Sequence, residues 1–270
     1  MAKITRITTQ KRKKSRYNIF IEKGSKDEYA FSVDEDVLIK HMLRKGMDLD
    51  EATMRMLKAQ DEVHKFYAMA INLLSYRIRS KKEITDYLKK KEAEMEQIEQ
   101  VLTKLEQEGY INDREFANTF VRSRINTSSK GPMFLKKELM EKGVAKSIID
   151  EAVQVYTPEK QREKVHKLVA KKLQSSSKKS FQQQLQAIQG TLIQKGFSGE
   201  VIQEVLQDAK EEYQNQDEEK EAVVHQGLKL VAKYERKAEG FELKQKVKAA
   251  LYRKGFSFDY IEAFIEEHMD

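Results

Sequence analysis

One apolar pattern occurs four times in this 270-residue chain, and it restricts the folds that the chain can adopt. The copy within residues 131–153 consists of Leu135, Leu139, Gly143, Ile149 and Val153. The other copies, with unchanged internal spacing, are Ile84, Leu88, Glu92, Ile98 and Leu102; Ile188, Leu192, Gly196, Ile202 and Leu206; and Val247, Leu251, Gly255, Ile261 and Ile265. Unrelated amphipathic helices would rarely keep such spacing, so the pattern predicts a repeat protein.

The spacing also predicts what each repeat contains. Apolar residues four apart lie on one face of a helix, and the pattern has two such pairs, which indicates two helices. Between the pairs, Lys142-Gly143, Lys195-Gly196 and Lys254-Gly255 place a basic residue in a last helical turn before a glycine that tolerates positive φ. A third helix precedes each pair: Phe116, Ala117, Phe120 and Val121 of the second repeat correspond to Met69, Ala70, Leu73 and Leu74 of the first.

We therefore predict a mainly α protein of tandem three-helix repeats, which stack into an elongated rod because each repeat is too small to bury a core alone. Residues 3–33 differ, because apolar residues alternate in 17–21 and 29–33 around Gly24-Ser25, which predicts a three-strand β-meander with residues 4–9. Its basic loop 11–16 either contacts phosphate or keeps a sheet edge soluble. Asp34 is predicted to cap a helix through about Arg44, and Asp50 one that leads toward Ala59. The predicted domains are a β-meander at 1–33, a helical connector at 34–60, and repeats at 61–111, 112–156, 157–214 and 215–270.

Composition limits the possible settings of this fold. The chain has no cysteine, which excludes disulfides and thiolate chemistry. It begins without an apolar signal region and has no apolar run of membrane-spanning length, so we expect a cytoplasmic monomer without membrane contact. A formal net charge of +7 is compatible with either nucleic acid or an acidic protein surface as the partner.

Charge follows the repeats. Residues 77–91 include seven basic and two acidic side chains, residues 164–195 seven and none, and residues 229–254 nine and three. We interpret these counts as basic middle helices followed by acidic third helices. If the repeats stack in register, one basic and one acidic ridge result, which would suit a long charged partner. The alternative is that opposite charges on neighbouring helices only provide solubility and weak pairing.

No pattern of catalytic residues is present. The five histidines are far apart in sequence and lack metal-ligand spacing, and no glycine-rich phosphate loop occurs. The aromatic residues mostly follow helical spacing, as core residues do, although Tyr76 and Tyr110 beside basic residues could stack on bases. We predict a non-enzymatic protein with no cofactor and no metal.

The first two repeats resemble the RecX family of RecA modulators. The resemblance runs through AINLLSYRIRSKKEI, VLTKLEQEGYINDREFANTFVRSR and GPMFLKKELMEKGV, which together span about a third of the chain. The third and fourth repeats share only the apolar pattern with it. The extra N-terminal sheet and fourth repeat are similar to the longer members of the family.

The resemblance implies a curved helical rod that binds in the groove of the RecA–DNA filament and lowers its ATPase, strand-exchange and coprotease activities during DNA repair. The competing hypothesis is a protein that binds single- or double-stranded DNA without RecA and competes for it. Arg77 and Arg124 have a second interpretation, as intramolecular pairs that support their turns. The residues expected to contact filament or DNA are Arg77, Arg79, Lys81, Lys82, Lys89, Lys90, Lys91, Arg122, Arg124, Lys130, Lys136 and Lys137.

Overall fold

The computed structural model describes residues 1–24, 26–174 and 178–269. These ranges contain thirteen helices and four strands, which confirms a mainly helical repeat protein with an N-terminal sheet. Ser25 of the predicted strand turn and residues 175–177 of a serine-rich stretch lie outside the described residues. The chain divides into two units, residues 1–116 with 142–145, and residues 117–141 with 146–270.

Every repeat has the three predicted helices. Their bounds are Glu51–Leu74 (α2), Lys81–Lys89 (α3) and Met95–Gln107 (α4); Asp113–Thr127 (α5), Pro132–Glu141 (α6) and Lys146–Val153 (α7); Pro158–Leu173 (α8), Phe181–Gln194 (α9) and Gly199–Tyr213 (α10); and Gln216–Tyr234 (α11), Gly240–Arg253 (α12) and Phe258–His268 (α13). No helix in the described ranges is both long and apolar enough to cross a membrane.

The N-terminal sheet has one strand more than the predicted meander. Strands β1 (Ala2–Thr9), β2 (Arg16–Lys23) and β3 (Lys26–Asp34) pair antiparallel in sequence, and β4 (Asp48–Leu49) adds to the free edge of β1. Such a two-residue strand has no periodicity that a sequence pattern could reveal. The helix capped by Asp34, α1 (Glu35–Lys40), is also shorter than predicted, because the chain turns at His41 toward β4.

The second connector helix and the first helix of repeat 1 are one continuous helix. Asp50 caps α2 as predicted, since its carboxylate accepts a hydrogen bond from the backbone N–H of Thr53 at 2.7 Å. The helix does not stop near Ala59, however, because no glycine or proline interrupts residues 51–74. Its first half packs on the sheet around Leu57, and its second half contributes Ala70 to the core of repeat 1.

The repeating apolar pattern forms the cores of the repeats. Ile84, Leu88, Leu135 and Leu139 have no solvent-exposed surface, and the corresponding residues of repeats 3 and 4 are buried as well. Among the leucine, isoleucine and valine positions of the pattern, Leu102 alone is only partly buried, at the edge of the core of repeat 1. The four copies at fixed spacing are thus four copies of one packing arrangement.

Consecutive repeats meet through the same contact, which we call the junction. In each junction, the turn after one repeat's middle helix lies against the first turn of the preceding repeat's middle helix. The backbone carbonyl of the lysine in that turn accepts a hydrogen bond each time: Lys142 from the Ser80 hydroxyl at 2.8 Å, Lys195 from the Gly131 N–H at 2.7 Å, and Lys254 from the Ser180 hydroxyl.

The glycine in each turn allows the turn to approach the preceding repeat closely. Gly143, Gly196 and Gly255 have φ of +76°, +80° and +81°, and a side chain on any of them would collide with the preceding repeat. At the middle junction the two backbones touch, because a Cβ on Gly131 would lie 2.4 Å from the Gly196 carbonyl oxygen. This contact explains glycine at 131, whose φ is not in the left-handed region.

Candidate functional site

The carboxylate of Glu83 binds two basic side chains, one of which, Arg77, was predicted to contact filament or DNA. It lies in the first turn of α3, where it closes a capping box with Ser80. The Arg77 guanidinium donates to both carboxylate oxygens, at 2.9 and 3.2 Å, and Lys142 Nζ donates at 3.0 Å. We call Arg77, Glu83 and Lys142 the Glu83 cluster. It joins the turn after α2, helix α3 and the junction turn.

The electrostatics of Glu83 show how strongly it is held. Burial alone would raise the pKa of this carboxyl group, but hydrogen bonds from Arg77, Lys142 and the Ser80 backbone lower its pKa to about 2. Glu83 is therefore ionised at neutral pH and needs its donors. Arg77 thus forms the intramolecular pair that was its alternative interpretation.

Two of the other basic residues near the start of α3, Lys81 and Lys82, also form contacts within the protein. Lys81 Nζ pairs with Glu106 of α4, and the Lys81 N–H donates to Asp113 at 2.9 Å. Lys82 pairs with Asp86 one turn on, at 3.4 Å. Arg79 is partly buried, and its Nε has no hydrogen-bond partner among the described residues.

The opposite end of α3 carries lysines that are turned outward. Lys89, Lys90 and Lys91 occupy the last helical residue and the following turn, and all three are exposed. The Lys91 ammonium lies 5.7 Å from the centre of the Tyr87 ring, whereas Lys89 and Lys90 have no ion pair within the described parts of the chain. We call these three residues the lysine triplet.

In the second repeat, too, some of the predicted contact residues have intramolecular partners and others are exposed. Arg124 pairs with Glu138 at 3.2 Å and lies over the Phe120 ring, again the intramolecular alternative. Lys130 lies over the Phe134 ring at 3.9 Å. Lys136 pairs with Asp150 at 2.6 Å. Arg122 and Lys137 are exposed and without an ion pair among the residues described.

Arg122 borders a basic groove that the sequence analysis did not identify. The groove has a volume of about 790 Å³, and Lys160, Lys164 and Lys167 also line it. Lys164 is used internally, because its Nζ donates to the backbone carbonyls of Ile125 and Ser128, and burial lowers its pKa. The first helix of repeat 3 is rich in lysine, but only the structure places it beside α5.

The predicted charge difference between helices leads to ion pairs between them. Lys136–Asp150 in repeat 2 and Lys248–Glu262 in repeat 4 occupy equivalent positions on the middle and third helices. In repeat 3 the prediction of a basic middle helix was wrong, because α9 has no charged residue and most of the lysines of that stretch lie on α8. Gln189 and Gln203 stand at the paired positions there, so the pairing is not obligatory. These contacts agree with the weak-pairing alternative; that the charges form continuous ridges stays a prediction.

One group of possible metal ligands was missed because its members are distant in sequence. His64 Nε2 lies 3.2 Å from Asp34, and its Nδ1 lies 3.8 Å from Asp36, with all three ligand atoms within 4.8 Å of one another. The Asp34 side chain already caps α1, and each nitrogen of the His64 imidazole faces a carboxylate. The arrangement is that of a histidine paired with two acids at the base of the sheet.

Comparison with known proteins agrees with this architecture. Family profiles match along the chain: the regulatory protein RecX N-terminal domain at residues 2–50, the first and second RecX three-helix domains at 67–105 and 112–153, and the third at both 159–206 and 217–265. The last profile matches twice, as expected for a four-repeat chain.

Relatives that align along the whole chain belong to the same family as the matched profiles. Regulatory protein RecX of Oceanobacillus iheyensis is 49% identical over 100% of this chain and 99% of its own length, and that of Bacillus cytotoxicus is 45% identical over 98% of each. A crystal structure of regulatory protein RecX superposes with a TM-score of 0.69 at 36% identity, covering 77% of this chain and all of the other. RecX from Lactobacillus salivarius gives 0.53 at 34% identity, covering 55% of this chain and 97% of that one. The chain belongs to the RecX family of regulatory proteins.

Proposed function

We propose that this protein is a non-enzymatic regulator that binds along the RecA–DNA filament and inhibits or remodels it, lowering ATPase, strand-exchange and coprotease activity. Family membership supports RecA as the partner. The observation that carries the proposal is a set of exposed cations that have no ion pair with any described residue, Lys89 and Lys90 in repeat 1 and Arg122 and Lys137 in repeat 2. They lie within the first and second RecX three-helix domains.

The paired arginines have a different part in this proposal. Arg77 and Arg124 hold acids of their own repeats, so they position helices α3, α5 and α6, which carry the unpaired cations. A long partner with repeated acidic groups would contact those cations in more than one repeat. Electrostatic attraction of this kind increases the association rate and weakens with salt.

The test compares two triple variants with the same change in charge. Lys89→Glu, Lys90→Glu and Lys91→Glu together should weaken inhibition of the DNA-dependent RecA ATPase at least tenfold. Lys229→Glu, Lys233→Glu and Lys237→Glu, at exposed positions of repeat 4, should weaken it much less. Equal loss in both triples would show that only net charge matters. A wild-type protein that leaves ATPase and filament lifetime unchanged would overturn the proposal.

The alternative function is DNA binding without RecA. The exposed rings of Tyr76 and Tyr110, near basic groups, favour this alternative because such rings can stack on bases. Under it, excess DNA should remove the inhibition, and affinity should fall steeply with salt as phosphates release counterions. Under the RecA proposal, inhibition should persist when free DNA is in excess over filament.

A further inference from the structure

The last repeat has an open counterpart of the surface that forms each junction. Lys82 of α3 and Gln182 of α9 are each the second helical residue after the cap. Each contacts the junction glycine of the next repeat, Gly143 and Gly255 respectively. Phe241 is the second residue of α12, after the cap Glu239. The Phe241 side chain is 78% exposed.

The next residue also matches. Glu83, the third residue of α3, binds the lysine of the junction turn at 3.0 Å, and Glu242 is the third residue of α12. Glu242 is exposed, and its one ion pair among residues 1–24, 26–174 and 178–269 is with Lys246, one turn along the same helix. Such an exposed pair contributes little stability, so a partner's cation can compete for this carboxylate.

The backbone of α12 offers the remaining group. At the middle junction the N–H of Met133, second after the cap position Gly131, donates to the Gly196 carbonyl at 3.0 Å. The N–H of Phe241 occupies that position in α12, in a first helical turn where backbone donors have no partner inside the helix. Residues 241–242 thus carry all three groups of a junction: the Glu242 carboxylate that would accept from a lysine, the Phe241 side chain that would contact a glycine, and the Phe241 N–H that would donate to a carbonyl.

We propose that the first turn of α12 is a docking surface for another protein, whose helix ends in a basic residue followed by a glycine of positive φ. The three internal junctions define this occupant, because each seats such a turn. A second copy of this chain fits less well. Its one free equivalent turn has Glu92 in place of glycine, at φ +66°, and a side chain there would collide with the docking surface as at the other junctions.

The test uses photocrosslinking of the full-length chain. The photoreactive residue p-benzoylphenylalanine replaces Phe241 or, as a control, the exposed Phe258. The probe is a synthetic peptide of residues 240–256, which carries the Lys254-Gly255 turn, and the control peptide has Gly255→Val. We expect an adduct at position 241 with the glycine peptide, at least tenfold above the valine peptide and above position 258.

Three outcomes would overturn the inference: no adduct at 241, equal adducts with both peptides, or equal adducts at both positions. A covalent dimer formed at 241 without peptide would assign the surface to a second copy of the chain instead. The RecA ATPase assay is independent of this surface, so either proposal can fail while the other stands.

Discussion

Two equivalent turns of the repeat have opposite surroundings. Lys142-Gly143, after the middle helix of repeat 2, lies in a junction, where Lys142 binds Glu83 and its carbonyl accepts from Ser80. Lys91-Glu92, after the middle helix of repeat 1, is exposed together with Lys89 and Lys90. The backbone is the same in both turns, since the residues at 92 and 143 have φ of +66° and +76°.

The difference teaches that a basic helix end has two uses in this fold. With glycine after the lysine, the turn can approach another repeat closely, and the lysine becomes part of the packing. With glutamate there, close approach is blocked and the lysines remain available to a partner. Four substitution experiments can test this comparison.

The largest effect should come from the core under both turns. Leu88 and Leu139 precede the two turns at equivalent positions, and both are fully buried. Replacing either with alanine should cost about 2–5 kcal/mol through lost burial and a cavity. Urea unfolding followed by far-ultraviolet circular dichroism would measure it. A cost below about 0.5 kcal/mol is typical of surface positions. Such a cost at either site would show that the leucines before the two turns are not equivalent core residues.

Removing the charge at the junction should have the next largest effect. Glu83→Gln should lower the free energy of unfolding at pH 7 by about 1.5–3 kcal/mol, because Arg77 and Lys142 lose a charged acceptor. Asp86→Asn, at the exposed Lys82 pair on the same helix, is the matched control and should cost about 0–1 kcal/mol.

The stabilisation by Glu83 should depend on pH in a known direction. The pKa of Glu83 is lowered from 4.5 to about 2, so its stabilisation is complete above pH 4.5 and disappears as the pH falls toward 2. The difference between wild type and Glu83→Gln should therefore shrink over that interval. A difference that is unchanged at pH 2 would contradict the assignment of the effect to the ionised carboxylate.

Exchanging the residues that distinguish the turns should have smaller and opposite effects. Gly143→Ala should destabilise by about 1–2 kcal/mol because a side chain at φ +76° is strained, and its Cβ would also lie 2.7 Å from Lys82 Cβ. Glu92→Gly should instead stabilise by up to about 1 kcal/mol, since it relieves the same strain. Chemical denaturation of both variants would compare them, and a Gly143→Ala chain as stable as wild type would remove the basis for the junction.

The smallest effect on stability should come from the lysine triplet. Changing Lys89, Lys90 and Lys91 together to alanine should alter the free energy of unfolding by less than about 0.5 kcal/mol, because their charges are exposed. Thermal unfolding would measure this. A loss above about 1 kcal/mol, outside that surface range, would place the lysines in the structural network rather than at a binding surface.

Much of the fold could be predicted because it depends on local spacing. Residues four apart on a helix share a face in any context, so Leu135, Leu139, Ile149 and Val153 identified two helices and their buried faces. Cap residues such as Ser80 and Asp50 act on N–H groups within three residues and were equally predictable. The fourth strand was not, since two residues carry no periodic signal. The continuity of helix α2 had a signal that was missed, because residues 51–74 contain no glycine or proline.

The candidate site was predictable in its composition but not in its arrangement. The sequence identified the basic residues of repeats 1 and 2, yet it could not separate Arg77, bound to Glu83, from Lys90, which faces solvent. The groove beside Arg122 was also missed, because its lysines come from the next repeat.

The sequence by itself determined a tandem helical repeat with an N-terminal sheet, and through its motifs the resemblance to RecX, because helix periodicity and turn chemistry act over a few residues. Only the tertiary structure decided which charges are neutralised within the protein and which glycines touch another repeat. Those outcomes depend on which side chains from distant segments come within about 3 Å of each other, the distance of a hydrogen bond.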